Sequence, residues 1–385
     1  MANLIKLKNK IPYGKHYIDR LDKNSVLSAL NSGILSNGLL VNKFEEKVNK
    51  YLNCKFSVAC SSGTAAIHLA FLSLNLKKKD VIILPVINFV AAANILSMMN
   101  IKFFFADVDE YTGQLTKETI LDCITKNKLK KVKAIVTSYI GGHTFNYEQI
   151  LNLKKKYKFL LIEDSCHAFG TKYKIKNKNY KIGCAKHSDI STFSFHPLKT
   201  ITTAEGGLVT TNKRNIYKKI KNLRSHGFIK QKNYWEYDLS YNGLNYRMSE
   251  INAALGCSQI NKIKKILNKR YEIAKRYHIG LKKIKSIRLP LLDKNSSWHL
   301  FILMIDFANI KISKKNLIKK LNKLNIFPQI HYTPTIFFEK FKKHKGQKLT
   351  NAENYFNNSL SIPIYFDLST KVQNIIINNI KLLCK

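Results

Sequence analysis

Short apolar segments alternate with amphipathic segments over the middle of the chain, and this alternation constrains the fold most strongly. The apolar segments have the lengths and residue types of strands, at residues 81–84, 103–106, 134–138, 159–163, 191–195 and 208–211. Segments such as 64–74 and 148–157 have the spacing of helices. Strands that alternate with helices predict an α/β fold, with a largely parallel sheet covered by helices on both faces.

The pattern changes near residue 250, where helical periodicity becomes dominant. A helix is predicted over residues 19–31 near the start, and a long helix over 249–276. The remaining predictions are strands at 300–305 and 327–332 and helices at 314–324, 352–360 and 370–383. Because 385 residues are long for one domain, we expect two. We predict a large domain with an N-terminal arm over residues 1–250 and a smaller α+β domain over residues 251–385.

The chain is strongly basic, with 66 Lys and Arg against 24 Asp and Glu and a formal charge of +42. The basic residues are spread along the whole chain, without an arginine-rich arm or a recognisable nucleic-acid module. We interpret the charge as a bias of composition toward lysine and predict no nucleic-acid partner. A second effect of the charge is attraction of anionic small molecules, phosphates included.

Cysteine usage and hydropathy favour a cytoplasmic protein without a metal site. The seven cysteines form no CxxC pair and no spacing typical of metal ligands, which suits a reducing compartment. The N-terminal segment lacks the apolar core of a secretory signal. Residues 81–101 carry no charge, but Pro85 and three asparagines interrupt them, so we predict no membrane span.

Lys199 is the first candidate for a reactive residue. It follows the predicted strand 191–195 in an uncharged, hydroxyl-rich segment, and Pro197 ends the strand pairing before it. A lysine beside a buried strand end is poorly solvated as an ammonium ion, which lowers its pKa and frees the amine as a nucleophile. Those are the properties of a Schiff-base lysine. The alternative is a solvated surface lysine, the usual state in so lysine-rich a chain.

Two other segments have the chemistry of a binding site. Ser62, Gly63 and Thr64 form a turn before a helix, where free N–H groups and hydroxyls can hold a phosphate. Asp164 ends an apolar strand at the sheet edge where α/β proteins bind ligands, and His167 follows it. The alternatives are ordinary helix caps for Ser62 and Asp164, and a histidine at the edge of the core.

Two further features belong to the same set. Phe89 follows the strand at 81–84 and could present an aromatic ring at the same sheet edge, or be a core residue. Residues 242–247 form a polar turn before the long helix. A phosphate site, an aromatic ring, an acid and a lysine, in this order along one sheet, match the requirements of pyridoxal phosphate.

These residues resemble the pyridoxal-phosphate-dependent nucleotide-sugar aminotransferases of the DegT/DnrJ/EryC1/StrS type, over nearly the whole chain. The similarity lies in segments that include 61–66, 162–164, 193–195, Lys199, 205–207, 245–247, 298–300 and 331–332. Within the family, residues 195–199, 201–207 and 223–227 are most similar to the 4-aminotransferases of pseudaminic acid biosynthesis.

The resemblance implies fold type I, the aspartate aminotransferase fold, in a homodimer with active sites at the interface. Lys199 would form the covalent bond to the cofactor, Asp164 would pair with the pyridine nitrogen, Phe89 would stack on the ring and His167 would lie near the ring hydroxyl. The residues expected to hold the phosphate are Ser62, Gly63, Thr64 and Ser194, with Asn245 from the partner subunit. The residues expected to contact the sugar nucleotide are Tyr13, Gly33, Ile34, Leu35, Ser36, His331 and Tyr332.

The predicted activity is transamination of a UDP-linked 4-keto-6-deoxy-N-acetylhexosamine with L-glutamate as amino donor. The alternatives are another nucleotide keto sugar, of the perosamine, legionaminic acid or 3-amino-sugar type, or a non-catalytic protein of the same fold. A related sugar 3-dehydratase branch has histidine at the position of Lys199, so the lysine disfavours that chemistry.

Overall fold

A computed structural model of the chain describes residues 3–233, 235–344 and 349–384. Its strands are β1 (Ile11–Pro12), β2 (Phe56–Cys60), β3 (Val81–Pro85), β4 (Lys102–Ala106), β5 (Ala134–Ser138), β6 (Leu160–Asp164), β7 (Lys172–Ile175), β8 (Lys178–Lys181), β9 (Ile190–Ser194), β10 (Gly207–Thr211), β11 (Phe228–Lys230), β12 (Tyr237–Leu239), β13 (Ile287–Arg288), β14 (Phe301–Ile305), β15 (Ile326–Phe327) and β16 (Ser359–Ile362). Its α-helices are α1 (Arg20–Leu30), α2 (Leu39–Leu52), α3 (Gly63–Ser73), α4 (Ala91–Met98), α5 (Lys117–Lys126), α6 (Tyr147–Tyr157), α7 (Arg214–Leu223), α8 (Glu250–Asn261), α9 (Ile263–Leu281), α10 (Lys314–Lys323), α11 (Thr350–Asn358) and α12 (Thr370–Leu383).

A seven-stranded mixed sheet organises the larger part of the chain. Its strand order is β2-β10-β9-β6-β5-β3-β4. Strand β10 is antiparallel to both of its neighbours, and the other pairs are parallel. The predicted α/β fold with a mostly parallel sheet is therefore confirmed, and all the strands predicted between residues 81 and 211 belong to it.

Helices cover both faces of this sheet because its strands are apolar on both sides. Successive residues of a strand point to opposite faces. Accordingly, Ile83 and Leu161 belong to one buried cluster, whereas their neighbours Ile82 and Ile162 belong to another. Burial on both faces explains why these strands have continuous apolar sequences rather than alternating ones.

The C-terminal part has a core of its own. Strands β13, β14 and β16 form an antiparallel sheet that packs with α9 and α12 around Trp298 and Phe301. The N-terminal arm joins this core: Leu7 is buried in it, and β1 pairs in parallel with β15. The division into domains at residue 250 stays a prediction.

Several predicted elements differ in the structure. The single helix expected over 249–276 is two helices, α8 and α9, which meet at Lys262. The strand expected over 327–332 is limited to β15, because beyond it only Gln329 finds a backbone partner, in an isolated bridge to Ser361. Strand β2 was not predicted. Within the described part of the chain, each helix is too short or too polar to cross a bilayer.

Candidate active site

A cavity of about 310 Å³ lies at the carboxyl ends of β5, β6 and β9. Ligands of open α/β sheets bind at this edge. The predicted site residues that line the cavity are Tyr13, Ser62, Gly63, Thr64, Phe89, Asp164, His167, Ser194, Lys199, His331 and Tyr332. Residues from distant parts of the sequence, including the N-terminal arm and the C-terminal region, therefore meet in one place.

Lys199 enters the cavity from the loop that joins β9 to β10. The backbone N–H of Lys199 donates to the carbonyl of His196 at 2.9 Å, which closes a turn over residues 196–199. Burial lowers the pKa of the Lys199 amine, and the nearby Cys166 and Asp164 side chains partly oppose this shift. A lysine with a lowered pKa has more unprotonated amine near neutral pH, as a nucleophile or general base requires.

Asp164 is the last residue of β6, and its buried carboxylate is held in a defined orientation. Its Oδ2 accepts a hydrogen bond from Asn88 Nδ2 at 2.9 Å, and its Oδ1 accepts one from the Cys166 N–H at 3.3 Å. Asn88 lines the cavity and is itself buried. No role for Asn88 was predicted, because a contact across 76 residues leaves no local signal in the sequence.

Glu163 anchors the strand ends behind Asp164. Its Oε1 accepts hydrogen bonds from Tyr139 Oη at 2.8 Å and Tyr147 Oη at 2.6 Å. Its Oε2 accepts from Ser188 Oγ at 3.0 Å and from Ser191 Oγ. These donors come from the end of β5, from α6 and from β9 with its preceding loop, so one buried carboxylate joins the elements that position the cavity.

The start of α3 has the free N–H donors that an anion site requires. Ser62 is the N-cap residue, and its Oγ accepts a hydrogen bond from the Ala65 N–H at 3.1 Å. The N–H groups of the first turn have no acceptor within the helix, and the helix dipole favours a negative charge there. Gly63 allows the helix to approach β9 closely, because a Cβ at this position would lie 2.7 Å from Ser194 Cβ. The predicted phosphate-binding residues thus lie together.

Histidine and tyrosine side chains form the opposite wall. His167 Nε2 lies 2.9 Å from Tyr332 Oη, and the rings of His167 and His299 are 4.3 Å apart. Burial lowers the pKa of His167 and His299 well below the usual value, and that of His331 to about 3. The wall therefore contributes hydrogen-bonding groups without positive charge at neutral pH.

His299 and Ser138 also line the cavity, although no role was predicted for either from the sequence. Both line the cavity and are buried, and neither His299 Nδ1 nor Ser138 Oγ has a hydrogen-bond partner among the described residues. The only signal for His299 was its place in the segment 298–300 that carries the family resemblance. Ser138 carried no signal beyond its position at a strand end.

Two groups of predicted residues do not line the cavity of their own chain. Asn245 lies in a loop that bridges to Ser225. The segment 33–36 lies before α2, with Ile34 and Leu35 exposed to solvent. The resemblance assigned Asn245 to the partner subunit's site, and the contacts expected of both groups stay predictions.

Comparisons with known proteins agree with this geometry. The sequence matches the DegT/DnrJ/EryC1/StrS aminotransferase family over residues 16–381. A UDP-4-amino-4,6-dideoxy-N-acetyl-beta-L-altrosamine transaminase of Campylobacter jejuni is 36% identical over 365 residues, 94% of each chain. The structure of Helicobacter pylori PseC, an aminotransferase involved in the biosynthesis of pseudoaminic acid, has a TM-score of 0.89 at 32% identity and covers 97% of this chain and 99% of its own. The structure of Spr1654, a sugar aminotransferase of Streptococcus pneumoniae in its PLP form, has a TM-score of 0.87 at 25% identity. The match covers 97% of this chain and 98% of that one.

The residues of the cavity fit pyridoxal phosphate. This cofactor needs an amine, a carboxylate for its ring nitrogen, an anion site and an apolar contact. The cavity offers Lys199, Asp164, the start of α3 and Phe89, and the unpartnered atoms of Ser138 and His299 leave hydrogen-bonding capacity for a ligand. The chain belongs to the DegT/DnrJ/EryC1/StrS aminotransferase family, whose aminotransferases depend on pyridoxal phosphate.

Proposed function

We propose that the chain transfers the amino group of L-glutamate to C4 of a UDP-linked 4-keto-6-deoxy-N-acetylhexosamine, which yields a UDP-4-amino-4,6-dideoxy sugar. The observation that carries the proposal is the meeting of Lys199, Asp164 and the start of α3 in one cavity. The choice of sugar is supported by the name of the Campylobacter jejuni relative and by the likeness to Helicobacter pylori PseC.

Lys199 carries out the proton transfers in this proposal. Bound pyridoxal phosphate supplies an electron sink and carries the amino group between donor and acceptor. The Lys199 amine removes the proton from Cα of glutamate, and in the second half of the reaction it returns a proton to C4 of the sugar. Its lowered pKa leaves the amine able to accept a proton near neutral pH.

Asp164 and the start of α3 hold the cofactor at its two ends. The Asn88 and Cys166 hydrogen bonds fix the Asp164 carboxylate, which would face a protonated ring nitrogen. The N–H groups at the start of α3, with Ser194 beside them, would bind the phosphate. Between these two anchors, the ring would lie within reach of Lys199.

The sugar nucleotide would bind at the tyrosine and histidine wall. Tyr13 and His331 are in edge-to-face contact, with ring centroids 4.9 Å apart, and Tyr332 contacts both Phe89 and His167. Neutral imidazoles and phenols suit the hydroxyls and the amide of a sugar, because they donate and accept hydrogen bonds without a net charge.

The proposal includes a homodimer in which each subunit completes the other's site. Its support is the position of Asn245 and of residues 33–36 outside the cavity of their own chain, together with exposed apolar side chains at Ile34, Leu35 and Leu39. Mixing Lys199→Ala and Asn245→Ala subunits tests it. Each variant alone should be nearly inactive, and mixed dimers should regain activity because one of their two sites has both residues. Mixtures as inactive as the separate variants would place Asn245 in the site of its own chain.

The activity itself is tested by incubating the PLP-loaded protein with glutamate and a panel of UDP-, GDP- and dTDP-linked keto sugars. We expect NMR of the products to show an amine at C4 of the UDP sugar. Lys199→Ala should abolish turnover, while Lys186→Ala, which removes an exposed lysine, should not. Amination of GDP- or dTDP-linked sugars alone would overturn the substrate assignment, and product formation by Lys199→Ala at the normal rate would overturn the role of the lysine.

A further inference from the structure

A second cavity, of about 260 Å³, adjoins the active site and has no role in the proposed reaction. Ile140 lines both cavities. The inner wall of the second cavity is apolar and buried, with Leu300 and Met304 beside Ile140. Its rim is formed by the turn at residues 111–112 and by the segment 288–291. Its walls suit an apolar body of about the size of a substituted aromatic ring.

The rim of this cavity carries a cation that stacks on an aromatic ring. The guanidinium of Arg288 lies over the ring of Tyr111, with Cζ 3.5 Å from the ring centroid. No carboxylate of the described residues lies within ion-pair distance of Arg288. The two acids before Tyr111 have other partners: Asp109 accepts hydrogen bonds from the N–H groups of Tyr111 and Thr112, at 3.1 and 2.8 Å, and Glu110 accepts one from Asn354 Nδ2 at 3.1 Å. Stacking on Tyr111 holds the guanidinium plane in place and leaves its N–H edges for a carboxylate.

The buried end of the cavity carries an unused hydrogen-bonding group. His143 is 6% exposed, and its Nε2 has no hydrogen-bond partner among the described residues. The ring is held edge-to-face against Trp298, with centroids 4.5 Å apart. Burial lowers the pKa of His143 to about 4, so the imidazole is neutral near pH 7. A buried nitrogen without a partner is unfavourable, and a ligand with a hydroxyl or carbonyl group would satisfy it.

We propose that this cavity binds a small aromatic carboxylate that carries a second hydrogen-bonding group on its ring. The carboxylate pairs with Arg288 at the rim, and the ring packs on the apolar wall around Ile140. The second polar group meets His143 at the buried end. The inference does not depend on the proposed aminotransferase substrate, because none of these side chains except Ile140 belongs to the first cavity.

The test is calorimetric titration of the PLP-loaded protein with 4-hydroxyphenylacetate. Two related compounds measure how much each polar group contributes to binding: phenylacetate lacks the hydroxyl group and 4-methylphenol lacks the carboxylate. We expect one probe molecule per subunit, with about tenfold weaker binding of 4-methylphenol, since a charge-assisted bidentate contact is lost.

Substitutions in the two cavities show which of them binds the probe. Arg288→Gln should weaken binding of 4-hydroxyphenylacetate about tenfold, while Arg276→Gln, an exposed arginine elsewhere, should have no effect. His143→Phe should remove the preference for the hydroxylated probe over phenylacetate. Lys199→Ala should bind the probe normally, because it alters only the first cavity.

Three results would overturn the proposal. The first is an absence of saturable binding, and the second is an Arg288→Gln protein that binds as tightly as the unchanged chain. The third is loss of binding in Lys199→Ala, which would place the probe in the active site. If His143→Phe does not fold, the exposed Arg288 variant and the comparison of three probes still decide the question.

Discussion

Gly63 permits the contact between α3 and β9 on which the proposed phosphate site depends. In Gly63→Ala, the new Cβ would lie 2.7 Å from Ser194 Cβ and 3.3 Å from Ser194 Cα. Carbon atoms prefer separations of about 3.5–4.0 Å, so the helix start and the strand end must separate by about 1 Å. Both sides of this contact are predicted to bind the same phosphate, and the separation would move their donors apart.

The expected loss of cofactor affinity in Gly63→Ala follows from the free energy needed to restore the native spacing between α3 and β9. Forcing one extra carbon into a well-packed site costs about 1–3 kcal/mol. If the phosphate requires the native spacing, this cost appears as weaker cofactor binding, by about 5- to 150-fold at 1.4 kcal/mol per factor of ten. The assay is a titration of cofactor-free protein with pyridoxal phosphate, followed by absorbance.

Gly14→Ala is the matched control, because its added Cβ would meet only Leu198, at an ordinary contact distance of 3.8 Å. It should bind pyridoxal phosphate as the unchanged chain does. If Gly63→Ala folded normally and bound the cofactor with unchanged affinity, the close approach of α3 to β9 would not be needed for phosphate binding.

Three further predictions concern the support of the site and the stability of the fold. Asn88→Ala should lower kcat/KM about 10- to 100-fold in steady-state kinetics, because a hydrogen bond to a charged group, here Asp164, contributes about 1.5–3 kcal/mol; a change below twofold would contradict it. Arg224→Met should lower the free energy of unfolding by about 3–5 kcal/mol in urea titrations, because it leaves Glu45 buried without its partner at 2.7 Å; adding Glu45→Gln should recover part of the loss. His143 has a pKa of about 4 in the folded chain, below the unfolded value of about 6.5, so its contribution to stability is present above pH 6.5 and lost as the pH falls toward 4. Thermal melts of His143→Phe should therefore lose less stability than the unchanged chain over this pH range, and parallel losses would contradict the assignment.

The elements that were predicted well have a pattern that depends on the local sequence alone. Helix α12 was predicted at the bounds that the structure has, because apolar residues at helical spacing follow a Ser cap. The same pattern failed to separate α8 from α9, since apolar residues continue through both helices and the break at Lys262 has no Gly or Pro. Strand β15 was predicted too long, because after Phe327 the segment pairs with a neighbouring strand at Gln329 alone among the described residues to 332, in an isolated bridge to Ser361.

The order of strands and helices in the large sheet, the family and the candidates Lys199 and Asp164 could all be predicted from the sequence, because periodicity, strand ends and motifs are local properties of the chain. The folded chain was needed to show that Asn88 orients Asp164, that Glu163 joins the ends of three elements, and that His299 and Ser138 line the cavity. Those contacts join residues far apart in the chain. Their existence depends on strand order and helix packing, which bring side chains together without any regular spacing between them.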